Sequence, residues 1–92
     1  MTFLTNIKLG VKSSRSCVLY DAEGEIRVVH EEVTLDGAHE RADKDLERLT
    51  RELSQRQGVD VEGLNTLLHA GALEPGASYR VNVADKSLIR QP

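Results

Sequence analysis

The sequence predicts an α+β fold, an antiparallel sheet in the chain order βββ-αα-ββ with two helices packed on one face. Three observations predict it. Segments near both ends alternate apolar and polar residues with period two, the signature of half-buried strands. Residues 38–57 carry a thin apolar stripe of Ala42, Leu46, Leu49 and Leu53 among dense charge, the signature of a solvated amphipathic helix. The strand-like runs also fall in blocks on either side of the helical ones, as in α+β rather than α/β chains.

The first strand is read over Phe3–Lys12, where Phe3, Thr5, Ile7, Leu9 and Val11 share one parity and Leu4, Asn6, Lys8, Gly10 and Lys12 the other. Ser13-Ser14-Arg15-Ser16 breaks the pattern and reads as a loop. Cys17-Val18-Leu19-Tyr20 is a short apolar run, followed by a turn at Asp21-Ala22-Glu23-Gly24 and a return strand from Glu25 to Leu35. Parity slips within that strand: Ile26 and Val28 are even, Val29, Val33 and Leu35 odd. Either both faces are partly covered or a bulge near His30–Glu32 re-aims the chain, and the bulge is the preferred reading.

Asp36-Gly37 ends the strand, and Asp36 is read as the N-cap, or a residue just before it, of the long helix Ala38–Gln57. Opposite charges stand four apart at Glu40–Lys44, Arg41–Asp45, Glu47–Arg51, Arg48–Glu52 and Glu52–Arg56, each pair worth about 0.2–0.5 kcal/mol. Gly58 sits where a left-handed C-terminal cap belongs. Asp60 is then read as the cap of a second helix, with Val61, Leu64, Leu67 and Leu68 as its apolar face and Gly71 as its end. Glu74-Pro75-Gly76 turns the chain into a strand over Tyr79–Val83, and Leu88-Ile89-Arg90 closes a last hairpin.

Ninety-two residues are read as one small domain spanning 1–92, with 39% hydrophobic residues, three aromatics and a core of Leu and Val. A net charge of −3 disfavours a general nucleic-acid binder, which needs a basic face to displace counterions. The lone Cys17 rules out an internal disulfide and a cysteine-rich zinc site. No run approaches the ~20 apolar residues of a membrane span, so the sequence is read as soluble and cytoplasmic.

Two constellations could carry chemistry. His39-Glu40-Arg41-Ala42-Asp43, if helical, would place His39 and Asp43 on one face beside Glu40, similar to the zinc-protease His-Glu-x-x-His pattern with Asp in place of the second His. Against it stand a missing third ligand and the general preference for acidic residues at helix starts. If the hairpin turn centres near Glu23, Cys17 faces either Val29 or His30, and in the second register the thiol–imidazole pair could generate a thiolate. No third group or oxyanion site accompanies them, and cysteine is commonly buried. His69 reads as a residue near the end of the second helix. Asp43, Asp45 and Glu47 lack calcium-loop spacing. Glu31 and Glu32, adjacent on a strand, point to opposite faces.

The sequence therefore assigns no catalytic, cofactor-binding or metal residue. It favours a non-catalytic protein-interaction module that binds an unidentified protein partner, or itself as a homodimer, through a sheet edge or the helical face. The alternatives are a metal- or thiol-dependent enzyme using His39/Glu40/Asp43 or Cys17/His30, and a nucleic-acid accessory protein using Lys8, Lys12, Arg15, Arg80, Lys86 and Arg90.

Overall fold

A computed structural model describes residues 10–91. Among them the elements are β1 (Val11–Tyr20), β2 (Ile26–Leu35), α1 (Asp43–Arg56), β3 (Asn65–Ala70), β4 (Ser78–Asn82) and β5 (Ser87–Gln91). The class is α+β with antiparallel pairing throughout. One sheet has the order β2-β1-β3, and β4-β5 forms a separate hairpin.

The order along the described chain is ββ-α-βββ, not βββ-αα-ββ. The expected strand Phe3–Lys12 lies outside the described residues except for Gly10, Val11 and Lys12, of which Val11 and Lys12 begin β1. Ser13–Ser16, expected as a loop, belongs to β1. As the central strand, β1 commits its backbone to both neighbours, and that outweighs the weak strand preference of serine. The Ser16 hydroxyl, fully buried, donates to the Gly71 carbonyl at 2.9 Å.

The expected second helix is replaced by a turn and β3. The Asp60 carboxylate accepts from the Glu62 backbone N–H at 3.0 Å, and Gly63 adopts a left-handed φ of 82° that a helix interior would not allow. Leu67 and Leu68 then go to opposite faces, opposite Val18 and Cys17 of β1. Spacings of three and four along a short apolar run do not separate helix from a strand buried on both sides.

That two-sided burial organises the molecule. Cys17 and Leu19 of β1 pack with Leu46 of α1, Val61, Val28 and Leu68. Val18 and Tyr20, one residue out of phase, pack with Val81 of β4, Leu88 of β5, Ile26, Leu67 and Leu73. The β2-β1-β3 sheet is thus the middle layer, with α1 on one face and the β4-β5 hairpin on the other. This corrects the expectation of two helices on one face.

It also explains the parity slip in β2. Leu19 pairs with Val28 while Tyr20 pairs with Ile26, which leaves Arg27 as the extra residue of a bulge. Ile26 thereby joins the hairpin side and Val28 the helix side. The irregularity lies at Arg27, with another at Lys12 on β1, and the run His30–Glu32 is in regular register.

α1 begins at Asp43, five residues later than Ala38. Residues 39–42 before it form no regular structure and are held by tertiary contacts: Ser13 Oγ donates to Glu40 at 2.8 Å, and the Arg15 guanidinium donates to the Arg41 carbonyl. Ala42 occupies the N-cap position, so Asp36 does not cap the helix. The fully or nearly buried ridge is Leu46, Thr50 and Ser54, with Leu49 and Leu53 half-buried. The hydroxyls of Thr50 and Ser54 return to the carbonyls four residues back, so each enters the core already satisfied. Of the five expected i,i+4 pairs, Glu47–Arg51 forms at 3.3 Å; Arg48 turns instead to Asp45, and Arg41 to Glu32. Gly58 follows the helix with φ 88°, as a left-handed cap requires.

Candidate interaction edge

The β1–β2 register sets Cys17 opposite His30 on the helix side of the sheet. Cys17 is fully buried, and burial pushes its thiol up; a hydrogen bond with Thr50 and the charge of Arg51 oppose that, while Glu47 adds to it. A raised, enclosed thiol is the opposite of a reactive thiolate.

His39, Glu40 and Asp43 do not converge. The helix starts at Asp43, so His39 and Glu40 are not on its face, and the i,i+4 argument does not apply. Glu40 accepts from Ser13, Asp43 from Arg15 at 2.7 Å, and His39 is exposed. Among the described residues no group of three or more His, Cys, Asp or Glu gathers as a metal site. His69 stands on β3 opposite Ser16, not near a helix end.

Two polar clusters on the helix side fasten α1 to the sheet. At its N-terminal end, Glu32 lies between two guanidinium groups: Arg41 donates at 2.8 Å, and Arg15 stands 3.7 Å from Oε2 while also binding Asp43. Oε2 is buried and lacks a hydrogen bond among the described residues, so Arg15 supplies it with charge but not with a donor. Further along the helix, Arg51 donates to the carbonyls of Val61 and Leu64 and to Thr66 Oγ1, at 3.2, 2.9 and 2.8 Å. Thr66 in turn donates to Glu47. That hydrogen bond holds the Glu47 carboxyl below the usual range; desolvation opposes it and Arg51 reinforces it.

The basic residues are dispersed. Lys8 lies outside the described residues, and Lys12 is exposed at the β1 irregularity. Arg15 is engaged as above, Arg90 pairs with Glu74 at 2.6 Å, and Arg80 donates to the Glu23 carbonyl. Lys86 occupies the left-handed position of the β4–β5 turn.

The feature that stands apart is β2 itself. It is ten residues long, and among the described residues it has β1 on one side and no strand on the other. Its residues Val29, Glu31 and Val33 pair with Val18, Ser16 and Ser14, so they share the hairpin-side face; Leu35 continues the alternation and pairs with Val11. Val29 and Val33 are 46% exposed, Leu35 36% and Val11 62%. Glu31, in the middle, makes no ion pair among the described residues. Beside Val29 opens a cleft of about 370 Å³ lined by Ile26, Val29, Leu73, Pro75, Ala77 and Tyr79, with Glu74 at its rim. Glu74 is neutralised by Arg90, and its N–H donates to the Tyr79 hydroxyl at 3.0 Å, so the cleft is apolar in effect.

Sequence reasoning singled out Ile26–Leu35 as an aliphatic strand but missed the cleft, whose far wall comes from residues 73–79 across the sheet. No described helix is long and apolar enough to cross a membrane. No protein-family model, curated protein or solved structure matches the chain.

Proposed function

We propose that the chain is a non-catalytic protein-interaction module that accepts an extended segment of a partner along the outer edge of β2. One observation carries the reading: a ten-residue strand, outermost in its sheet among the described residues, bears exposed apolar side chains at alternate positions next to an apolar cleft. Outer strands offer unpaired backbone N–H and C=O groups, and proteins normally shorten, charge or cover them. Main-chain pairing supplies affinity in strand addition, and pockets for alternate side chains supply selectivity. The catalytic alternatives lack support in the geometry, because the Cys17 thiol is enclosed and the His39, Glu40 and Asp43 side chains are occupied separately or apart. A single buried thiol calls for no oxidising compartment, and we place the module in the cytoplasm.

The test is selection from a random peptide library followed by amide mapping on the full chain. Selected peptides are expected to slow hydrogen exchange along β2 and to lose binding to V29K and V33K, variants whose folding is checked by thermal melts. Peptides that bind but protect only α1 or the β4-β5 hairpin would overturn the reading.

A further inference from the structure

Two other polar features share the surface with the β2 edge: the Glu32–Arg15–Arg41 cluster and a smaller cleft lined by Glu23, Glu25, Tyr79, Arg80 and Gln91. The cluster is consumed in holding the helix end. The smaller cleft carries both charges and no buried unpartnered group. Only the edge has a pattern that specifies an occupant.

Resting on the reading of β2 as a strand acceptor, we infer that its partner is an extended segment with a Lys or Arg flanked two residues away on each side by apolar side chains. On the exposed face β2 reads Val29, Glu31, Val33, Leu35, so a strand laid beside it sets one side chain against each. A cation opposite Glu31 meets the one carboxylate of the stripe. The flanking positions then meet Val29 and Val33, and the one at Val29 lies next to the 370 Å³ cleft, which has room for a large aliphatic or aromatic group.

Charge also argues against a second copy as the occupant. Antiparallel β2–β2 pairing keeps like faces together, and the registers that cover the stripe are few. Centred on Glu31, the pairing sets Glu31 against its own copy. Centred on Glu32 it sets Glu32 against Glu32 and Glu31 against Val33, and centred on His30 it sets Glu31 against Val29. Centred on Val33 it sets Glu31 against Leu35. Each arrangement opposes like charges or leaves a carboxylate against an apolar side chain. A charge at this position is a known way of keeping an outer strand from pairing with itself. A basic partner strand converts the same charge into a selector.

The experiment uses two synthetic nine-residue peptides of alternating Val and Thr, one with Lys and one with Glu at the centre. Binding to the full chain is followed by amide chemical shifts and by fluorescence anisotropy. The Lys peptide is expected to shift β2 amides and to bind about fivefold or more tighter than the Glu peptide, with the order reversed in E31K. Equal binding of both peptides at β2 would overturn the inference while leaving the strand-acceptor reading intact. Failure of both to perturb β2 would sink the two together. Sedimentation showing a dimer whose interface protects β2 would give the edge to a second copy. Peptide binding that emerges only after deletion of residues 1–9 would give it to the chain's own N-terminus. Either result overturns the inference.

Discussion

Gly24 packs directly against Val81 of the hairpin, and replacing it with alanine tests the layered architecture directly. Its φ is 86°, and its carbonyl accepts from the Val81 N–H at 2.9 Å. A Cβ at this position would overlap the Val81 carbonyl oxygen, with Val83 Cγ2 a further 3.3 Å neighbour. The left-handed conformation alone costs a non-glycine residue about 1–2 kcal/mol. Relieving the overlap needs a backbone shift of the kind that costs about 1–3 kcal/mol, because the obstacle is main chain and not a flexible side-chain end. The total for Gly24→Ala is therefore roughly 2–5 kcal/mol, a large share of the ~5–15 kcal/mol that holds a typical domain together.

Gly63→Ala supplies the control. Its φ is 82°, nearly the same, but among the described residues nothing lies within 4 Å of the added methyl. It should show only the conformational cost, about 1–2 kcal/mol. Urea titrations of both variants, with slopes matching the parent, measure the difference. Gly24→Ala should exceed Gly63→Ala by about 2 kcal/mol, equivalent to roughly 8–16 °C in melting temperature for a chain of this size. Equal costs would show that the hairpin does not press on Gly24, and the assignment of β4-β5 to that face would fall.

Three further outcomes follow from the helix side. Arg51→Met should cost about 1–3 kcal/mol in urea titration, since it removes the guanidinium donor from the Leu64 carbonyl and one of two donors from the Val61 carbonyl, which keeps the Leu64 N–H; a change within about 0.3 kcal/mol would refute that role. Glu47, whose carboxyl is held down chiefly by Thr66, stabilises the fold above the ordinary glutamate range and loses that contribution as pH falls through its lowered value. Thr66→Val should therefore flatten the acid limb of stability measured between about pH 6 and 3, and an unchanged limb would refute the coupling. Cys17 should react with a disulfide reagent only as the fold opens, its rate rising with urea in step with unfolding; immediate labelling of the native protein would contradict its enclosure.

What the sequence made legible was local. The Asp21–Gly24 turn is written in residue types: Asp21 accepts from the backbone N–H groups of Glu23 and Glu25, and Gly24 takes the positive φ. The β4-β5 hairpin, the helix around Leu46–Leu53 and the Gly58 cap were legible for the same reason. What misled was burial on two faces. Leu64, Leu67 and Leu68 mimic a helix stripe because neighbours on a strand can both be buried when layers lie above and below. Ser16, Thr50 and Ser54 were invisible as core positions because their burial depends on hydroxyl partners, two of them one helical turn back and one 55 residues away. The cleft beside Val29 was illegible for a related reason. No local pattern tells that residues 73–79 return to β2.

The exposed stripe has a geometric origin, and this sharpens the role of Glu31. β2 has ten residues and β4 has five, spans of about 33 and 17 Å at strand rise. A hairpin that docks at Gly24 and Ile26 therefore covers one end of β2 and leaves Val29, Glu31, Val33 and Leu35 exposed, with Glu31 interrupting the aliphatic stripe. Glu31→Val would join Val29 to Val33 and Leu35 in one unbroken aliphatic face on an outer strand, a pattern that recruits further strands. It should leave the helix-side core untouched, since residue 31 points away from it, and the thermal midpoint should hold within about 3 °C, as for an exposed substitution. Sedimentation at rising concentration should nonetheless show association in the variant well beyond the parent, and V33K placed in the same chain should reverse it. A variant that sediments as the parent does at every concentration would show that this edge is not available to a second strand at all.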